Sequence, residues 1–136
     1  MTTPDKVIRF LSQEECRALL EEVKVARVAV VVNGVPQVVP VNHVVLDGDV
    51  VFRTGSGTKL AAALLQAPVS VEVDKVDEEA MTGWSVLVSG RASVVTDPAV
   101  LTRLDGLDLV TWAPGPRDDV VRVQVETISG RAVERA

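Results

Sequence analysis

The sequence predicts a mainly β protein in which six antiparallel strands close into a small barrel with a few helices. Valine supplies 30 of the 136 residues, and β-branched side chains favour strands. Two Asn-Gly or Asp-Gly pairs mark tight hairpins. A chain of this length makes a single domain, residues 1–136, that buries a core without disulfides or metals. It is too small for two full sheets, and a barrel leaves no open edge.

The first half of the chain alternates turn signals with valine-rich runs. Ser12 and Glu15 have the spacing of a capping box, and apolar residues then recur at helical spacing. Asn33-Gly34 and Asp47-Gly48 supply the positive-φ positions of hairpin turns. The predicted elements are a helix over residues 12–24 and strands over 27–32, 37–46 and 50–54.

The second half begins with a short segment of high helix propensity that ends before Pro68. Gly90 predicts a bulge within a long strand, and Asp97-Pro98 has the capping chemistry of a helix start. Pro and Gly exclude regular structure around residues 112–117. The predicted elements are helices over 58–66 and 97–105, and strands over 69–76, 84–95 and 120–132.

Composition excludes several functions. A net charge of −5 and few aromatic side chains argue against nucleic-acid binding. No signal peptide and no membrane-spanning apolar run is present, so we expect a cytoplasmic protein with no membrane partner. One Cys and one His cannot form a Cys/His zinc site, and we assign no metal.

The segment Phe52–Lys59 runs from a strand through a glycine-rich loop into a predicted helix. Such a junction favours phosphate, because free backbone N–H groups and the positive end of the helix dipole meet there. Ser56 and Thr58 add hydroxyl donors, and Arg53 and Lys59 add positive charge. The segment is not a Walker A loop, since Leu60 follows Lys59. A plain strand-to-helix turn is the alternative interpretation.

His43 and the two tryptophans are the other candidates for a site. His43 is either a satisfied structural histidine or a polar group at the rim of a ligand site. A Ser-His-Asp triad with His43 lacks a nucleophile elbow. Trp84 opens a strand and Trp112 lies in a Pro/Gly loop, and either could be a core residue. As a loop residue, Trp112 could instead cover a planar ring.

In their order and spacing, these segments resemble the pyridoxamine 5′-phosphate oxidase-like, FMN-binding split β-barrel superfamily. The chain is similar to its short members, including nitroimidazole-resistance proteins. The resemblance covers nearly the whole chain and rests on the following segments: Leu11–Cys16, Pro40–His43, Val51–Thr54, Gly57–Leu60, Gly83–Arg91, Trp112–Gly115 and Ile128–Arg131.

The resemblance implies a homodimer with FMN in a groove between the subunits. The strand carrying Val39, Pro40, Val41, Asn42 and His43 would run beside the flavin ring. Arg53, Thr54, Thr58 and Lys59 would lie near the ribityl chain and phosphate, and Thr58 replaces the arginine of true oxidases. Ser56 is a candidate from the glycine-rich loop alone. Trp84 and Ser85 would approach from the partner subunit, and Trp112 and Arg117 would shape a substrate pocket.

The function that this resemblance implies is an FMN-dependent oxidoreductase acting on a small organic substrate. No catalytic residue is identified, because the cofactor supplies the chemistry. We do not expect pyridoxamine phosphate oxidation, since the chain lacks the substrate-gripping Arg/His segment at its C-terminal end. The alternatives are an F420-dependent reductase, or a non-enzymatic flavin- or haem-binding module with His43 as the haem ligand.

Overall fold

The structure of the chain is a computed structural model that describes residues 5–55, 67–107, 109–112, 114–115 and 119–136. The predicted helix over 58–66 lies outside these residues. The described elements are β1 (Lys6–Phe10), α1 (Gln13–Glu22), β2 (Val25–Val32), β3 (Val35–Leu46), β4 (Asp49–Thr54), β5 (Pro68–Asp77), β6 (Thr82–Val94), α2 (Pro98–Asp105) and β7 (Asp119–Arg135).

Six strands form a closed antiparallel ring in the order β7-β4-β3-β2-β5-β6, and β6 pairs again with β7. The prediction of a six-stranded antiparallel split β-barrel is confirmed. β7 closes the ring because its 17 residues are long enough to pair with β4 near one end and with β6 along most of its length.

β1 is a seventh strand that the sequence did not predict. It pairs only with the C-terminal end of β7, and four of its five residues are exposed. A strand that is exposed on both faces has no alternation of buried and exposed positions, so its sequence gives no period-two signal.

The predicted hairpin turns are confirmed by their backbone angles. Asn33 and Gly34 have φ of 50° and 77°, and Asp47 and Gly48 have φ of 51° and 83°. Both turns therefore place two successive residues in the left-handed region, which fits the right-handed twist of the flanking strands.

Two apolar clusters hold the barrel together. The main cluster fills the interior with valines from all six strands around Phe52, and α1 closes it with Cys16 and Leu20. The smaller cluster lies on the outer surface, where Leu104 of α2 packs with Val51 and its neighbours. α2 thus covers the outside of β3 and β4, and the segment that follows it is brought close to β3.

Candidate functional site

One edge of β3 is open over much of its length. β2 pairs with β3 along Val35–Asn42, whereas β4 pairs with β3 only from His43 to Leu46. Among the described residues, no strand lies along the β4 side of Val35–Asn42. Backbone polar groups on that side of Val35–Val41 therefore have no strand partner within the described part of the chain, and a ligand could pair with them.

The direction of these groups follows from one hydrogen bond. The His43 backbone N–H donates to the Lys24 carbonyl oxygen at 3.1 Å, so His43 turns its backbone groups towards β2. Successive residues of an antiparallel strand alternate, and Val38, Pro40 and Asn42 consequently turn theirs towards the open edge. Proline has no backbone N–H, and at the open edge no neighbouring strand needs one, which explains how Pro40 fits within this strand.

A groove of about 690 Å³ lies against Asn42–Val45 of β3 and meets the open edge at Asn42. Asn42 Oδ1 accepts a hydrogen bond of 2.8 Å from the Trp112 backbone N–H, which ties the segment after α2 to the strand. Trp112 is 67% exposed and Val110 62% exposed, so this wall presents apolar side chains to the groove. Glu21 and Lys24 contribute the opposite, charged wall. The volume is within the range of small-molecule sites.

The His43 side chain is buried beside the groove and is tied to α1. Its Nε2 lies 2.8 Å from the Leu20 carbonyl oxygen, one of the last-turn carbonyls of α1 that have no partner within the helix. Nε2 must carry a proton to donate there. Burial lowers the pKa of His43, so the ring is neutral near pH 7 and its buried Nδ1 is an acceptor with no hydrogen-bond partner.

This geometry supports the structural interpretation of the His43 ring. One ring nitrogen is engaged by Leu20 and the other is buried, so a haem iron has no accessible histidine nitrogen here unless the ring moves. A role for His43 in flavin binding stays a prediction.

Arg53 and Thr54 end β4, opposite Val120 and Asp119 of β7. Arg53 is half-buried on the outward side of the barrel, and Thr54 is buried. The rest of the predicted phosphate loop, with Ser56, Thr58 and Lys59, lies outside the described residues, as does Arg117. The phosphate site therefore stays a prediction from the sequence.

Trp84 and Ser85 lie in a different groove, of about 550 Å³, with Asp74 and Arg131. Trp84 packs against the barrel core, and Ser85 pairs with Asp74 on one side and Arg131 on the other. β2 and β5 separate β6 from β3, so three strand spacings, about 14 Å, lie between the grooves along the sheet. Within one chain, Trp84 and Ser85 therefore lie apart from the predicted flavin-binding residues of β3.

The sequence analysis missed a charged cluster on the outer surface. Arg27 of β2 lies 2.8 Å from Asp74 and 3.4 Å from Glu72 of β5. Partial burial, with the neighbouring Asp74, raises the pKa of Glu72 to about 7. Glu72 and Asp74 alternate with Val71 and Val73 in the sequence, which is typical of two acids on the outer face of a strand. Their pairing with Arg27 depends on the β2–β5 register.

Neither a metal-binding cluster nor a membrane-spanning helix is found in the described part of the chain. No group of three or more potential metal ligands occurs among the described residues. Within the same residues, no helix is both long and apolar enough to span a membrane.

The fold and the groove define a split-barrel protein with a groove of small-molecule size. A family model described as pyridoxamine 5′-phosphate oxidase matches residues 12–132, and the chain belongs to this family. The predicted resemblance is therefore confirmed.

Three relatives illustrate the similarity. An uncharacterised protein of Mycobacterium tuberculosis is 35% identical over 88% of this chain and 82% of its own length. The solved structure of an FAD-binding protein from Mycobacterium smegmatis is 34% identical, with a TM-score of 0.73 over 93% of this chain and 98% of that one. An FAD-binding protein from Mesorhizobium loti is 27% identical, with a TM-score of 0.71 over 94% and 99%.

Proposed function

We propose that this protein is a flavin-dependent oxidoreductase whose cofactor lies along the open edge of β3. The open edge is the observation that carries the proposal. Val38 directs a backbone donor and acceptor there, and Pro40 directs a carbonyl. The polar rim of an isoalloxazine ring carries N–H and C=O groups that complement such an edge, and its flat face suits the apolar wall formed by Val110 and Trp112.

Similarity supports the same cofactor class. The M. smegmatis relative, 34% identical over nearly its whole length, is an FAD-binding protein. The sequence alone predicts FMN, with F420 as the alternative. All three molecules carry a planar tricyclic ring on a phosphate-bearing tail, so the open edge of β3 would receive the ring of each. They differ in the tail that the predicted phosphate loop, with Ser56, Thr58 and Lys59, would hold.

In this proposal the protein residues bind and orient the flavin and the substrate, while the bound flavin supplies the chemistry of hydride transfer. The backbone of Val38–Asn42 would fix the plane of the ring, and Arg53 with the adjacent loop would hold the phosphate end. Trp112 and Arg117 would border the space left for a small organic substrate. No described side chain of the β3 groove is required as an acid or base.

The decisive experiment is the absorbance spectrum of the purified protein, with mass spectrometry of the compound released on denaturation. We expect a flavin, and its mass distinguishes FMN, FAD and F420. Lys59→Glu should lower the flavin content, whereas Arg135→Glu, the same charge reversal at an exposed position of β7, should not. A haem band, or a colourless protein that no flavin stabilises, would overturn the proposal.

We also propose a homodimer, because the two grooves of one chain lie apart. In a dimer, Trp84 and Ser85 of one subunit could face the β3 edge of the other. Two variants test this arrangement: Lys59→Glu disables one half of the site, and Ser85→Arg obstructs the other. If each site uses both subunits, mixed dimers of the two variants regain one intact site. Mixing without any recovery of flavin binding, or a monomer by light scattering, would contradict it.

The reaction is tested on the loaded protein. We expect reduction of the flavin by an added reductant to be followed by electron transfer to a small organic acceptor. Pyridoxamine 5′-phosphate is tested separately, as an electron donor to the oxidised flavin. The sequence prediction is that it is not oxidised. Its oxidation at the rate of a dedicated enzyme would refute that prediction without affecting the assignment of the flavin. The cytoplasmic location also stays a prediction.

A further inference from the structure

The Asn42 side chain is the only polar link that the described residues show between β3 and the wall of the groove formed by Val110 and Trp112. Its Oδ1 accepts from the Trp112 backbone N–H at 2.8 Å. A backbone N–H can only donate, so the atom facing it must be the carbonyl oxygen of the amide. The orientation of the amide is thereby decided by the segment after α2.

This orientation has a consequence for the other end of the amide. Nδ2 carries two N–H donors and no acceptor, and the described residues include no partner for it. Asn42 is half-buried and lines the groove together with Trp112. A ligand that meets this side chain therefore meets donors, whereas a freely rotating amide could present either end.

We propose that Asn42 is a positioning and specificity-determining residue, which fixes the Trp112 segment through Oδ1 and, as a result, selects ligands that present an acceptor to Nδ2. Suitable acceptors are a ring carbonyl, a nitro group or an unprotonated ring nitrogen. The choice of ligand rests on the proposed flavin function, whereas the positioning of Trp112 does not.

The two roles can be separated by substitution. Asn42→Asp keeps an oxygen for the Trp112 N–H but loses the donor, and Asn42→Ala loses both. Asn42→Asp also lowers the charge of the groove by one unit. Lys24→Gln makes the same change in charge at an exposed residue that lines the same groove, and it leaves both hydrogen-bonding roles of Asn42 intact.

Positioning is measured on the flavin-free protein. The chain has two tryptophans, so Trp84→Phe leaves Trp112 as the sole fluorescent reporter. We expect Asn42→Ala to lower the fluorescence anisotropy of Trp112, because the segment gains local motion, and Asn42→Asp to leave it unchanged. Equal anisotropy in all three proteins would overturn the positioning role.

Selection is measured by titrating FMN and FAD into the proteins that retain Trp84. Loss of a hydrogen bond to a buried acceptor predicts binding weaker by roughly tenfold or more in Asn42→Asp and Asn42→Ala, beyond the effect of Lys24→Gln. If Asn42→Asp weakens binding no more than Lys24→Gln does, the donor role is wrong. A wild-type protein that binds neither flavin would overturn the proposed function and the donor role together, while the anisotropy result would still decide the positioning role.

Discussion

Gly90 lies where β6 changes register against β7, and replacing it with alanine should disrupt the closure of the barrel. An added Cβ would be 1.8 Å from the Gln124 carbonyl oxygen, and real Cβ contacts essentially never fall below 3.0 Å. The obstructing atom belongs to the backbone of the paired strand, so the two strands must separate. Overpacking costs about 1–3 kcal/mol, and each ladder hydrogen bond that is weakened adds about 0.5–1.5 kcal/mol. With two ladder bonds weakened, we expect Gly90→Ala to lower the free energy of unfolding by about 2–6 kcal/mol.

Urea denaturation measures this change, and Gly106→Ala provides the matched control. A Cβ at Gly106 would lie 3.6 Å from the Arg103 carbonyl oxygen, an ordinary contact, and its φ of −80° suits any residue. We expect that variant to remain within about 1 kcal/mol of the wild type. If Gly90→Ala unfolds at the same urea concentration as Gly106→Ala, the strands accommodate the methyl group and the reasoning fails.

Three further predictions concern stability. The raised pKa of Glu72, about 7 against an ordinary 4.5, means that the folded state retains a proton that the unfolded state releases. The free energy of unfolding should therefore fall as the pH rises between these values, by about 1 kcal/mol after allowance for solvent screening. Glu72→Gln should be more stable than the wild type at pH 8 but not at pH 4. Urea midpoints that do not change with pH would contradict this prediction. Ser12→Ala removes the oxygen that accepts from the Glu15 backbone N–H and should cost about 1 kcal/mol in thermal unfolding, whereas no change would show that α1 does not need its cap. Leu104→Ala removes the most buried side chain of α2 and should cost about 2–5 kcal/mol, and a smaller loss in urea would indicate that the outer cluster collapses around the gap.

Local signals were sufficient for most elements of the fold. The capping box at Ser12 and the turn residues at Asn33-Gly34 act within a few residues, and the structure has each of them as predicted. Gly90 was also identified as a bulge. β1 could not be predicted, because an exposed strand has no periodicity and its pairing with β7 joins opposite ends of the chain.

The site could be predicted only as separate parts. A proline within a strand indicates an edge or irregular position, because it removes a ladder donor, and Pro40 lies at the open edge of β3. The sequence could not show that β4 leaves β3 open before His43, because the register between two strands is not local. The hydrogen bond between Asn42 and Trp112 joins residues 70 positions apart, and no motif indicates such a contact.

Two adjacent residues of β3 connect the strand to both walls of the groove. The His43 side chain donates to Leu20 at the end of α1, on the side where Glu21 and Lys24 form one wall. Asn42 accepts from Trp112 on the other wall. Neighbouring side chains of a strand point to opposite faces. His43 can therefore contact α1, which closes the barrel interior, while Asn42 contacts the segment on the outer surface. A ligand docked on the open edge of this strand would therefore contact the element to which both walls are hydrogen-bonded.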